Sequence, residues 1–418
     1  TEASSEEMKS LAFAIDKAGE GTLEIVSDWL DKEIEMSWMR EYVEKSDCGL
    51  TVLQTSGDAV KTILFCEEQF LKGKNVRPQF PGRNVGMMFG LESSLHPFIG
   101  HPSYREIADL PLSERVKIMK DPAFKEKLLN EKPNFASEIE KSMNEQGNTK
   151  SQEEIKEAAN LGLKLISNYD TQFILGDPPN YEPGKEDSIA ALAKSKGIAE
   201  LEVIYDEFLK NEGTNLVYAC FTPYDNHKLD FVERAYSLKS SVAGGSDGGA
   251  HCGLICDASM PTTNLSHWAR DREAGKKIPI ELIVRKQTKD TAETYGLFDR
   301  GEIKTGMLAD LNIIDFEKLN VTHPKMVYDL PLGGRRLIQT SSGYLATVKS
   351  GEVVYEAGEA TGVLPGKLIR GKQTCEVKTE KERVPFIDRT LRLMSVKAFK
   401  LLWNFRKSSV KTTVVSDD

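Results

Sequence analysis

From about residue 6 to about residue 90, apolar positions recur in two alternating rhythms. One has the three-to-four-residue spacing of an amphipathic helix and the other the short apolar run of a buried strand. Helices are expected at Glu6–Ala18, Trp29–Lys45 and Asp58–Lys72, with Ser4 or Ser5 capping the first. Strands are expected at Leu23–Asp28, Thr51–Ser56 and Val76–Arg83. Repeated strand–helix units of this size imply parallel strands joined by crossover helices, in an α/β barrel or a doubly wound sheet. The pattern alone does not choose between them.

Residues 101–212 are richer in helical spacing, with Ser151 opening a capping box for a helix to about Ile166 and further helices at Ser188–Ser195 and Ile198–Lys210. Lys141–Lys150 has the composition of an exposed linker. Leu216–Thr222 is a continuous apolar run suited to a strand buried on both faces. A short helix at Asp230–Leu238 follows, and closing helices are expected at Trp268–Arg272 and Ile280–Gly296. Beyond Gly296 the rhythm changes to short alternating strands at Leu311–Asp315, Leu337–Gln339, Tyr344–Lys349 and Glu352–Glu356, with Ser350–Gly351 as a hairpin turn.

The chemistry concentrates in residues 240–264. The apolar pair Val242–Ala243 enters a turn with glycines at 244, 245, 248, 249 and 253, carrying Ser246, Asp247 and His251. A strand ending in an acid and a glycine-rich loop is how α/β barrels present reactive groups at the C-terminal face; a plain tight turn capped by Asp247 is the simpler alternative. Composition narrows the class. A net charge of −9 argues against a general nucleic-acid binder. The six cysteines form no CxxC pair or disulfide-like framework, which fits a reducing compartment, and Cys252 and Cys256 are expected as small buried residues. No stretch has the apolar length of a membrane span. The start, Thr-Glu-Ala-Ser-Ser-Glu-Glu-Met, reads as the middle of a protein. Cytoplasmic residence is the default.

The run Gly-Gly-Ser-Asp-Gly-Gly-Ala-His-Cys-Gly-Leu-Ile-Cys-Asp-Ala-Ser-Met-Pro-Thr, followed by His-Trp-Ala-Arg-Asp-Arg, resembles the amidohydrolase superfamily in its N-acyl-D-amino-acid deacylase (D-aminoacylase-like) branch. The segments around Arg83, Gly90–Phe98 and Tyr169–Pro183 are similar to the same branch. The resemblance implies a partial (β/α)8 TIM-type barrel over residues 1–298 with a helical insertion at about 101–212. A small C-terminal β-sandwich would follow over 299–371, normally completed by a segment from the N-terminus. It also implies a metal-dependent hydrolase of N-acyl amino acids. Asp247 matches the aspartate that binds metal and handles the proton of the attacking water, and His251 matches the histidine that follows it. Arg83 is then a candidate for the substrate carboxylate, which a guanidinium grips bidentately, with bracing of its loop as the alternative. Ser259 and Thr262 occupy the substrate-binding region. Asp257 orients His251 or caps a helix, and His96 is expected to be packed in a core.

The resemblance is incomplete in two respects. A hydrolytic zinc centre, with one or two ions, needs several nitrogen, oxygen or sulfur ligands. The six histidines, His96, His101, His227, His251, His267 and His323, form no H-x-H pair, so Asp247 is the single ligand carried over. The remaining ligands are expected upstream or on another chain, leaving this chain inactive alone. D-aminoacylases also bind the substrate carboxylate through an arginine soon after the Asp loop, whereas Cys252–Trp268 contains none and Arg270 is the first. The alternatives are a cyclic-amide hydrolase of the hydantoinase kind and a non-catalytic barrel that binds or scaffolds. From Lys372 the resemblance ends. Ile387–Lys407 reads as a basic amphipathic helix, suited to docking on its own β-domain or to meeting an anionic membrane or a partner.

Overall fold

A computed structural model describes residues 3–27, 31–54, 60–135, 152–220, 224, 227–246, 248, 249 and 251–375. The expected alternation is present in its N-terminal part: α1 (Ser5–Ala18), β1 (Thr22–Ile25), α2 (Lys32–Lys45), β2 (Gly49–Leu53), α3 (Val60–Leu71) and β3 (Val76–Pro81). The Ser4 side chain accepts a hydrogen bond from the Glu7 N–H, and Gly19 ends α1 at φ 85°, a conformation open to glycine. Asp31 caps α2 in the same manner.

β1, β2 and β3 pair in parallel and in chain order, and β7 (Val242–Gly244) then joins β3, giving a four-stranded parallel sheet. Leu50, Val52 and Val76 point into a core built with Met36, Trp38, Met39, Tyr42, Val43, Phe65 and Cys66 from the helices. The intervening positions Thr51, Arg77 and Gln79 turn to the other face, as period-two geometry requires. There Gln79 Nε2 donates to Thr51 Oγ1 at 2.9 Å, and Tyr295 OH donates to Glu24 at 3.0 Å. The described strands are an open sheet of the α/β class rather than a closed barrel.

The long connection from β3 to β7 carries its own sheet, β4 (Gly86–Phe89), β6 (Val217–Cys220) and β5 (Gln172–Ile174), all antiparallel. The described part of the apolar run, residues 216–220, is covered on both faces. Val217 and Ala219 enter one core with Phe89, Phe98, Tyr205 and Phe208, while Leu216 and Tyr218 enter another with Trp268 and Tyr181. β4, in Gly-Met-Met-Phe, is an element that the apolar pattern did not single out; its pairing with β6 defines it. The linker expected at Lys141–Lys150, and Ser151, lie outside the described residues, and the helix there runs Gln152–Ile166.

The closing helix expected at 280–296 is two, Ile280–Gln287 and Lys289–Thr294, divided at Thr288, whose φ −119° and ψ −84° leave the helical region. Beyond it, β8 (Leu311–Ile314), β13 (Tyr344–Lys349), β14 (Glu352–Glu356) and β15 (Glu359–Ala360) make an antiparallel sheet. The turn at Ser350–Gly351 has the positive φ values, 53° and 85°, of a tight hairpin. β9 (Asn320–Val321) pairs with β12 (Ser341–Ser342), and β10 (Lys325–Leu330) with β11 (Gly334–Ile338). The region is less separate than expected: Leu319, Val321 and Leu337 share a core with Trp268, Tyr181 and Tyr218. No helix among the described residues is long and apolar enough to cross a membrane. The helix expected at 387–407 lies outside them.

Candidate active-site loop

Beyond the C-terminal end of β7, the chain turns through Gly245 at φ 77°. Asp247 lies outside the described residues. His251 is exposed and sits at φ 49°, a strained value for a side chain with a β-carbon. Its carbonyl accepts from the N–H groups of Leu254 (2.7 Å) and Ile255 (2.9 Å), which closes the loop into a tight turn. On one side the Met88 N–H of β4 donates to Leu254 O at 2.7 Å, and the Ser94 N–H donates to Gly253 O at 2.9 Å. On the other, the Leu337 N–H of β11 donates to Cys252 O at 2.7 Å. Backbone from two distant stretches, 88–94 and β11, thus holds the histidine-bearing turn.

Arg83, expected at a substrate carboxylate, is 1% exposed. Its Nη2 donates to Cys256 O (2.9 Å) and Asp257 Oδ1 (3.0 Å), and its guanidinium carbon lies 3.5 Å from the centre of the Tyr181 ring. Ser259 Oγ donates to Gln339, whose Nε2 donates to Tyr181 OH at 2.8 Å. Thr262 Oγ1 and Tyr344 OH are 2.9 Å apart. The three expected substrate contacts are therefore buried framework in this structure. Arg83 balances Asp257 beneath Tyr181, and Ser259 and Thr262 fasten the 257–264 segment to the strands beyond 319. The physical reason is burial: a guanidinium removed from water needs a counter-charge close by, and Asp257 supplies it.

His96 is packed, as expected, with its ring centroid 4.8 Å from that of Tyr104 and 5.9 Å from that of Phe208. Burial first, then the charges of Arg115 and Arg335, depresses its pKa to about 3, so the ring is neutral. Burial pushes the Cys256 thiol up to about 11, which removes it as a thiolate donor at neutral pH. Among the described residues no three His, Cys, Asp or Glu side chains converge to hold a metal ion. Those residues do not by themselves fit the zinc site that the resemblance implied.

One cluster escaped the sequence reading. Glu182 Oε2 accepts from Arg272 Nε at 2.9 Å and lies 2.8 Å from His267 Nε2. Its Oε1 accepts from Arg272 Nη2 at 2.9 Å and from the Leu229 N–H at 2.7 Å. Arg272 also reaches Asp230 at 2.7 Å. Burial alone would raise the Glu182 carboxyl, but hydrogen bonds from His267 and Arg272 outweigh it and hold the group at about 2. Beside this cluster, Trp268 Nε1 donates to Gly82 O at 2.6 Å and ties the residues next to His267 to the end of β3. Glu182 and Arg272 lie in the segments quoted for the resemblance, but no spacing rule couples residues so far apart.

Residues 180–355 match the amidohydrolase family, a stretch that contains the turn at His251, Asp247 and both partners of the Glu182–Arg272 pair. Across these residues the chain is similar to that family. Three solved structures of D-aminoacylase are similar at 15%, 14% and 15% identity, with TM-scores of 0.44, 0.41 and 0.43. One is a variant in complex with copper chloride, one is described as defining a novel subset of amidohydrolases, and one concerns the role of the enzyme's binuclear metal center. Each alignment covers 86% of this chain and 58% of the D-aminoacylase chain. The amidohydrolase-like chain thus spans less than two thirds of the proteins it resembles. No curated protein is significantly similar to it.

Proposed function

We propose that this amidohydrolase relative belongs to an amide hydrolase that cleaves the C–N bond of N-acyl amino acids. The observation that carries the reading is the family match over 180–355, which takes in the glycine-rich loop following a parallel strand. In this reading Asp247 is the general base: its carboxylate takes the proton of the attacking water and passes it to the leaving nitrogen. His251, exposed on the same loop, positions or polarises the scissile carbonyl. Arg83, Ser259 and Thr262 move from substrate binding to support, because their polar groups already hold the loop's surroundings together. A zinc ion bound through Asp247 requires donors beyond those the described residues gather.

The deciding experiment replaces Asp247 with Asn in a chain that hydrolyses N-acyl amino acids. The expected outcome is a fall in kcat of roughly 10²–10⁴-fold, the span over which a positioned acid–base group acts. Turnover at the unmodified rate excludes the role. Assays of linear N-acyl amino acids beside cyclic imides separate this activity from that of a cyclic-amide hydrolase.

A further inference from the structure

An N-acyl amino acid carries a free carboxylate, and a site that selects it needs a cation within reach of the amide-cleaving loop. Residues 252–268 contain no arginine or lysine, and the buried Arg83 already has Asp257 for a partner. The β10–β11 hairpin, from a remote part of the chain, brings a guanidinium to the same place. The Leu337 N–H of β11 bonds to Cys252 O at 2.7 Å, and Cys252 Sγ donates to Arg335 O at 3.7 Å. The hairpin's other strand is anchored by Tyr328 OH, which donates to Glu92 at 2.7 Å.

Alternation along β11 decides which way the arginines point. Arg336, on the opposite face of the strand, is committed to a two-point pair with Asp329, 2.7 Å at each contact. Arg335 shares the side of Leu337, which is buried against the body of the protein. A β-carbon placed on Gly253, two residues after His251, would lie 3.8 Å from Arg335 Nε. Arg335 is nevertheless exposed, and among the described residues it forms no ion pair.

We propose that Arg335, delivered by the β10–β11 hairpin to the His251–Gly253 turn, binds the carboxylate of the substrate and makes the site selective for N-acyl amino acids over uncharged amides. The inference rests on the hydrolase reading and adds to it the residue that recognises the acid. Arg336 and Arg335 are neighbours in sequence with opposite tasks: one braces its own hairpin, the other faces the loop that carries the chemistry.

The test compares N-acetyl-leucine with N-acetyl-leucinamide, in both enantiomers, as hydrolysis substrates and, by calorimetry or ligand-observed NMR, as equilibrium ligands. Arg335→Ala is expected to weaken the acid roughly 10- to 100-fold, through KM or Kd with kcat little changed, as for loss of a charge-assisted hydrogen-bond pair. The amide is expected to be unaffected, Arg335→Lys to retain part of the preference, and Arg336→Ala to leave it intact. An unchanged acid-to-amide ratio in a folded Arg335→Ala protein overturns the assignment while the hydrolase stands. An unmodified protein that neither cleaves nor binds either compound overturns both.

Discussion

Arg83, bonded to Cys256 and Asp257, and Arg335, next to Gly253, both adjoin the 252–257 stretch and show how environment divides the work of one side chain. Around Arg83 the protein is closed: the guanidinium is buried, stacked on Tyr181 and paired with Asp257 at 3.0 Å. Around Arg335 it is open, and an exposed guanidinium lies beside the His251–Gly253 turn. In the closed region charge is matched inside the protein, because an unmatched buried ion costs several kcal/mol. In the open region water solvates the charge until a ligand arrives. Arginine near a candidate loop is thus ambiguous until burial is known.

The comparison is broken most forcefully from the buried side. Arg83→Ala removes the buried counter-charge of Asp257 and is expected to cost about 3–5 kcal/mol of stability, measured by denaturant unfolding. Replacing both partners with apolar residues, as Arg83→Met with Asp257→Leu, is expected to cost clearly less than the single change. Equal losses would show that the pair is not the main reason for Arg83's position.

Next in size is the acid response of Glu182. Its folded carboxyl titrates near 2 against an ordinary 4.5, so its stabilisation is fully present above pH 4.5 and lost as pH falls toward 2. The shift corresponds to about 3 kcal/mol. Glu182→Gln is expected to be less stable at pH 7 and to flatten the acid limb of a stability–pH curve between pH 5 and pH 2, checked by unfolding at a series of pH values. An acid limb identical to that of the unmodified protein contradicts the assigned role.

Smallest is the seam between the 257–264 segment and the later strands. Thr262→Val removes the contact with Tyr344 and should destabilise by about 1 kcal/mol. If Thr262 instead contacts substrate, KM changes while the unfolding midpoint stays put.

Legibility followed range. The α1–β3 elements agree with their expected spans to within a few residues at their ends, because caps such as Ser4 and the two-residue alternation of Leu50, Thr51 and Val52 are local signals. The loop at 244–253 was visible from its glycines, two of which, Gly245 and Gly249, adopt positive φ. β4 was missed because Met87 and Met88 carry little strand preference, and the strand exists through pairing with β6 and contact with Leu254. Ser259 and Thr262 were assigned to substrate on their nearness to the loop in sequence. Their partners, Gln339 and Tyr344, arrive from a distant part of the chain.

The order of residues was sufficient to determine the α/β class, the amidohydrolase resemblance and the place of the glycine-rich loop. Each is written in neighbours a few positions apart or in a contiguous motif. Whether an arginine is framework or ligand reader, and that Glu182 belongs with Arg272 and His267, was decided by folding alone. Burial and counter-charge are properties of three-dimensional proximity, and Arg83 and Arg335 differ only in what the chain folds around them.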